Sequence, residues 1–122
     1  MRVAVAHMTI GGALIALNLV AGICGILTWR ARAEVKAWLQ QLLALSHTAV
    51  LLQSLFGLYL LSGGNRAPVR LHYVYGLLPA GAVAFGYSAR TSDTRRNLLQ
   101  FSVIALIISA LAVRAFMTGR GE

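Results

Sequence analysis

Four long apolar stretches, separated by short segments that hold most of the charged residues, constrain this chain more than any other feature. They cover about residues 3–29, 38–62, 71–89 and 98–117. Each is close to the roughly 20 residues that an α-helix needs to cross a bilayer. Because 58% of the residues are hydrophobic and only 11% are charged, little polar surface remains for a soluble fold. The sequence therefore predicts an integral membrane protein with four transmembrane helices.

The short connections predict how these helices are arranged. Loops of roughly eight residues force each helix to return beside the one before it. We therefore expect one all-α domain over residues 1–122, an up-down-up-down four-helix bundle. Gly63 and Gly64 suit the end of the second helix, and Pro79 permits a kink in the third.

The net charge of +8 comes mainly from arginine near the predicted membrane faces. Arginine at these positions is attracted to anionic lipid head groups. No soluble element carries the basic stripe with interleaved aromatic residues that is typical of nucleic-acid binding. We expect the lipid bilayer as a partner, no nucleic acid, and a multi-pass location in the plasma (inner) membrane of a bacterial cell.

The acidic residues exclude several functions. Glu34, Asp93 and Glu122 are the only carboxylates of the chain, and all three lie outside the apolar stretches. Proton-coupled transporters place ionisable groups at membrane depth, and many acid–base mechanisms use positioned carboxylates. The sequence therefore argues against a proton-coupled exporter and against paired-carboxylate catalysis.

The histidines are the remaining candidates for chemistry. His7 and His72 lie near the starts of the first and third predicted helices, which run parallel in an up-down-up-down bundle, so their imidazoles could meet. Two imidazoles at equal depth are the ligands that six-coordinate haem b requires, one on each side of the ring. His47 lies about 22 Å from that face at 1.5 Å per residue. We expect a hydrogen bond from His47 to a neighbouring helix rather than a role as a ligand.

The neighbours of the two histidines fit the same use. Gly11 and Gly76 lie one helical turn after His7 and His72, where small residues would let a flat macrocycle approach. Haem propionates are bound by arginine through charge-assisted contacts. The arginines expected near this face are Arg2, Arg66, Arg70 and Arg114, of which Arg70 and Arg114 complete the predicted site. The alternative is that His7 is an interfacial residue and that His72 hydrogen-bonds to the preceding loop.

One segment resembles a known family. Gln53 and Gly57 precede a Ser-Gly helix end, and the next helix opens with a Leu-His pair that contains His72. This pattern, within residues 53–80, resembles part of the haem A synthase family, in which the histidine of that pair ligates a haem. The resemblance implies that His72 and His7 ligate haem in a four-helix module, like half of such a protein or a small membrane cytochrome b. Because His7 lacks the acidic residue and arginine that usually accompany it, haem A synthase activity is not implied.

Two functions follow from different classes. The first is a b-type haem protein, not an enzyme, that passes electrons to a quinone or a larger redox complex, or holds haem for delivery. Quinone contact is conceivable near Trp29, Tyr73 or Tyr75. The second is a cofactor-free accessory or assembly subunit of a larger membrane complex, and a homo-oligomer is compatible with either. A transporter would need a polar path, and the predicted helices supply few polar residues.

Overall fold

The computed structural model describes residues 2–122, which form four α-helices and contain no β-strand. The helices are α1 (Arg2–Arg30), α2 (Ala37–Ser62), α3 (Leu71–Ser88) and α4 (Thr94–Gly119). The predicted all-α class is therefore confirmed.

Three of the helices, α1, α2 and α4, are long and apolar enough to cross a membrane. The third helix has 18 residues, which is long enough, but it is less apolar than the other three because it contains a histidine, a proline and three tyrosines. At 1.5 Å per residue it spans about 27 Å, slightly less than the roughly 30 Å of a hydrocarbon core. It also contains Pro79 and remains helical through it. A bundle with four transmembrane helices therefore stays a prediction.

The helix ends follow from local chemistry. The turn after α2 contains Gly64 with a φ of 88°, in the left-handed region that glycine adopts without strain. The last helix begins at Thr94, earlier than the expected residue 98. Its N-cap is Asp93, whose carboxylate accepts hydrogen bonds from the backbone N–H groups of Arg95 and Arg96 at 3.0 and 3.2 Å. This cap satisfies two amides that would otherwise lack partners, and so extends the helix.

Contacts between α1 and α2 run in opposite order along the two helices. His7, near the start of α1, lies against Gly57 in the second half of α2. Further along α1, the amide of Asn18 donates a hydrogen bond to the backbone oxygen of Ser46, at 3.2 Å. The two helices are therefore antiparallel neighbours.

The closest approach between helices is that of α1 to α4. A Cβ built on Gly22 would lie 2.7 Å from the side chain of Leu106 and 3.0 Å from the backbone oxygen of Ser102. A Cβ on Gly25 would overlap the Ser102 hydroxyl. These glycines let the two backbones pack where a larger residue would hold them apart. Helix α3 packs mainly against α4 and to a smaller extent against α2.

The interior contains two apolar clusters. One joins residues from all four helices and consists of Leu14, Val50, Val83, Ile104, Ile108 and Ala112. The other joins α1, α2 and α4 and consists of Ala21, Leu39, Leu43, Leu98 and Ala105. The side chains of these clusters fill the space between the helices.

The distribution of polarity differs from that in a water-soluble domain. Large apolar side chains such as Leu55 and Phe85 are more than 60% exposed. Polar side chains such as Asn18, Ser46 and Ser109 are buried. The hydroxyls of both serines donate hydrogen bonds to backbone oxygens. An apolar exterior with polar groups turned inward is typical of helices that lie in lipid.

Candidate functional site

A cavity of about 410 Å³ opens at the end of the molecule where α1 and α3 begin and α2 and α4 end. Its volume lies within the range of about 300–1,000 Å³ that is usual for small-molecule and cofactor sites. His7 and His72 both line it.

The two imidazoles face each other across this cavity. The ring centroids of His7 and His72 are 6.0 Å apart, and the ring planes meet at 79°. The sequence predicts this meeting from two parallel helices that begin at the same depth. The structure places both residues within the first turns of α1 and α3.

The orientation of His72 is fixed by α4. Its Nδ1–H donates a hydrogen bond to the backbone oxygen of Ala115, at 2.8 Å. The ring lies close to Gly119, where a Cβ would be 3.0 Å from its Cε1 atom. Because a carbonyl oxygen only accepts, the proton is on Nδ1, and the lone pair of Nε2 is available to a ligand.

His7 is held against α2. A Cβ on Gly57 would lie 3.2 Å from the Cε1 atom of His7, so this glycine makes room for the ring. The side-chain amide of Gln53 donates a hydrogen bond of 2.7 Å to the backbone oxygen of His7. Within the described residues, the buried Nδ1 atom of His7 has no hydrogen-bond partner. A buried polar atom without a partner is costly, and a ligand that reaches Nδ1 itself would lower this cost.

The two predicted glycines have different roles. Both Gly11 and Gly76 line the cavity. A Cβ on Gly76 would meet no atom within 4 Å, so this residue leaves open space. A Cβ on Gly11 would lie 2.9 Å from Nε2 of Gln53. Gly11 therefore makes room for the glutamine, and its predicted contact with a macrocycle stays a prediction.

The predicted arginines lie outside the lining of the cavity, and their role as partners of a haem propionate stays a prediction. Neither Arg70 nor Arg114 lines the cavity, whereas Arg66 and Arg120 do. The guanidinium carbon of Arg114 lies 5.7 Å from the ring centroid of Tyr75, in a cation–π contact.

Arg70 lies at the start of α3, outside the cavity. It is the exposed N-cap residue of α3. The guanidinium of Arg66 donates to the backbone oxygens of Leu61 and Asn65, both at 3.0 Å, and Arg120 pairs with Glu122 at 3.3 Å. The cavity therefore has two basic residues at its rim, on the α2–α3 loop and at the end of α4.

His47 lies away from this cavity, as expected. It is buried, and its ring packs 5.5 Å from that of Phe101, between centroids. Its Nε2 has no hydrogen-bond partner among the described residues, and the expected hydrogen bond from His47 to a neighbouring helix stays a prediction. The hydroxyl of Ser54, on the same helix, donates to the backbone oxygen of Gly76 at 3.4 Å.

Metal sites built from side chains alone need more ligands than this cavity offers. Over residues 2–122, no group of three or more His, Cys, Asp or Glu residues is close enough to hold a metal ion. A haem iron needs only two protein ligands, since the macrocycle supplies the other four. In comparisons with known proteins, no family model, curated protein or solved structure matches this chain.

Proposed function

We propose that this chain is a small multi-pass membrane protein that binds one b-type haem between His7 and His72, for electron transfer or haem handling. The observation that supports this most strongly is the meeting of the two imidazoles inside one cavity, with centroids 6.0 Å apart. In this proposal all four helices cross the membrane as an up-down-up-down bundle, with α3 as the shortest span.

The spacing of the rings fits ligation from opposite sides of one metal ion. A metal–nitrogen bond of about 2 Å, plus about 1 Å from each nitrogen to the centre of its ring, separates two such centroids by about 6 Å. The observed separation of 6.0 Å agrees with this value. The 79° between the ring planes is compatible, because each imidazole can rotate about its own bond to the metal.

The surrounding residues prepare the two histidines for this role. The hydrogen bond from Nδ1 of His72 to Ala115 is the kind of outer contact that fixes the tautomer of a ligating histidine. Gln53 holds the backbone of His7. Arg66 and Arg120, at the rim, take the place that the sequence assigned to Arg70 and Arg114 as partners for propionates.

A haem held by two imidazoles has no open coordination position and supplies one-electron transfer rather than oxygen chemistry. An electron carrier needs a partner, which we propose to be a quinone or a larger redox complex in the plasma membrane. The apolar exterior, with residues such as Leu55 and Phe85 exposed, supports insertion into lipid.

The test is an absorbance spectrum of the protein, oxidised and dithionite-reduced, purified in mild detergent from a haem-replete host. We expect a low-spin b-type spectrum with about one haem per chain. His7→Ala and His72→Ala should each abolish stable haem retention. Added imidazole should restore low-spin haem in either variant by occupying the vacated volume.

His47→Ala is the matched control, because it removes a histidine that does not line the cavity. It should keep full haem occupancy. Full occupancy in both of the other variants would refute the ligand assignment. A colourless wild-type protein that copurifies with other subunits would support the accessory-subunit alternative instead.

A further inference from the structure

A second cavity lies at the opposite end of the helices. It has a volume of about 200 Å³ and is lined by His47 on α2, Tyr87 on α3, and Asn97 and Phe101 on α4, among others. None of its lining residues also lines the first cavity. The sequence predicts no ligand at this place, because the residues come from three helices whose rotation it does not fix.

A buried imidazole atom without a partner is the most unusual feature of this cavity. His47 is 1% exposed, and its Nε2 has no hydrogen-bond partner among residues 2–122. Such an atom is costly in a folded protein unless a bound molecule satisfies it. A ligand in the cavity could accept a hydrogen bond from this nitrogen or donate one to it, according to the tautomer.

Aromatic rings surround the same imidazole. The ring centroid of His47 is 5.5 Å from that of Phe101 and 6.3 Å from that of Tyr87, and the last two are 5.3 Å apart. These spacings lie in the range at which aromatic rings attract one another, about 4.5–7 Å. The surroundings therefore favour a planar ring as the ligand.

The lining of the cavity also indicates a neutral ligand. None of the residues that line it, within the described chain, is charged. The guanidinium carbon of Arg90 lies 5.9 Å from the ring centroid of Tyr87, in a cation–π contact. An anionic head group would lack a direct ionic partner here, and desolvating it would be costly.

Size and access complete the description of the ligand. At about 200 Å³ the cavity is smaller than sites for drug-sized molecules, so it admits a single substituted ring and not a whole lipid. Gln40, Ala44 and Tyr87 line it and are exposed on the outside of α2 and α3. In a membrane-inserted bundle a ligand would therefore enter from the lipid, with its tail outside.

We propose that this cavity binds the ring of a membrane-soluble quinone, with a ring oxygen hydrogen-bonded to Nε2 of His47 and with one face of the quinone against the Tyr87–Phe101 pair. This assignment rests on the proposed function for its biological role, because the quinone would be the redox partner of the proposed haem. Binding itself requires only the residues of the second cavity, and can be measured whether or not haem is present.

The experiment is photo-crosslinking of the full chain in proteoliposomes with an azido-benzoquinone, followed by mass spectrometry of the labelled peptides. We expect labelling of the segments around His47 and Tyr87, abolished by excess decylubiquinone. His47→Leu, which keeps the size but removes the nitrogen, should lower the competable labelling on the order of tenfold, the upper end for one neutral hydrogen bond. His47→Gln should restore part of it.

Thr48→Ala is the matched control, because Thr48 is the exposed neighbour of His47 and does not line the cavity. If His47→Leu fails to fold, Tyr87→Leu replaces it, since Tyr87 is 41% exposed and tolerates change. Labelling spread over the lipid-facing side chains without competition, labelling concentrated in the His7 cavity, or labelling unchanged in both variants would overturn the assignment. Colourless protein that is labelled as expected would refute the haem proposal and leave this one intact.

Discussion

The tight contact between α1 and α4 predicts that two glycine-to-alanine changes on the same helix have opposite effects on stability. A Cβ on Gly22 would lie 2.7 Å from two atoms of Leu106 and 3.0 Å from the backbone oxygen of Ser102. A Cβ on Gly12 would meet no atom within 4 Å. Gly22→Ala therefore adds a methyl group to a filled contact, and Gly12→Ala adds one to open space.

The magnitude follows from the overlap. Carbon atoms in contact prefer a separation of about 3.5–4.0 Å, so the new methyl group of Gly22→Ala is about 1 Å too close to Leu106. The side chain of Leu106 can rotate, but the backbone oxygen of Ser102 moves only if the helices separate. Overpacking of this kind costs about 1–3 kcal/mol. Both variants share the gain in helix propensity, roughly 1 kcal/mol in water, so the difference between them isolates the packing cost.

The assay is reversible unfolding in dodecylmaltoside micelles with increasing SDS, followed by the fluorescence of Trp29 and Trp38. We expect Gly12→Ala to be as stable as the wild type or slightly more stable. Gly22→Ala should have a free energy of unfolding lower than that of Gly12→Ala by about 1–3 kcal/mol. Equal stability of the two variants would refute the close approach of α1 to α4 at this point.

Two further predictions concern the haem cavity and the start of α4. Gly76→Leu should reduce haem occupancy several-fold, because the new side chain enters the cavity. Gly81→Leu is the control, since Gly81 is equally free of neighbours on α3 but does not line the cavity, and it should retain haem. The absorbance ratio of haem to protein measures both variants, and equal retention would contradict the location of haem in this cavity. Asp93→Ala should destabilise the protein by about 1 kcal/mol through loss of the N-cap, as measured by SDS unfolding, whereas Asp93→Asn, which still caps, should lose much less.

The elements of the fold were accessible from the sequence because hydropathy and loop length determine them. The apolar stretches located all four helices, and the Gly63-Gly64 pair marked the end of α2. The early start of α4 is also indicated by the sequence. Aspartate is a typical N-cap residue, and Asp93 lies three residues before Arg96, whose backbone N–H an N-cap at that position can satisfy. Hydropathy alone misses the first turn of α4, because Arg95 and Arg96 are polar although they are helical.

The candidate site was accessible only in part. The meeting of His7 and His72 follows from depth and direction, which loop length constrains. The roles of Gly57 and Gly119 depend on which faces of α2 and α4 turn inward, and packing between helices determines that rotation. Arginine side chains are long enough for a small helix rotation to move the guanidinium into or out of a cavity. The sequence therefore does not determine that Arg66, and not a neighbouring arginine, lines the cavity.

The two cavities are separated by apolar layers, and this separation bears on the class of function. Leu14 and Val50 line the first cavity and belong to one core cluster, while Leu43 and Leu98 line the second and belong to the other. Transport of a polar solute needs a continuous polar path, whereas an electron does not. His47 and Gly57, which contacts His7, are ten residues apart on α2, or about 15 Å at 1.5 Å per residue. A haem in one cavity and a quinone ring in the other would therefore exchange electrons through packed protein while remaining inaccessible to each other by diffusion.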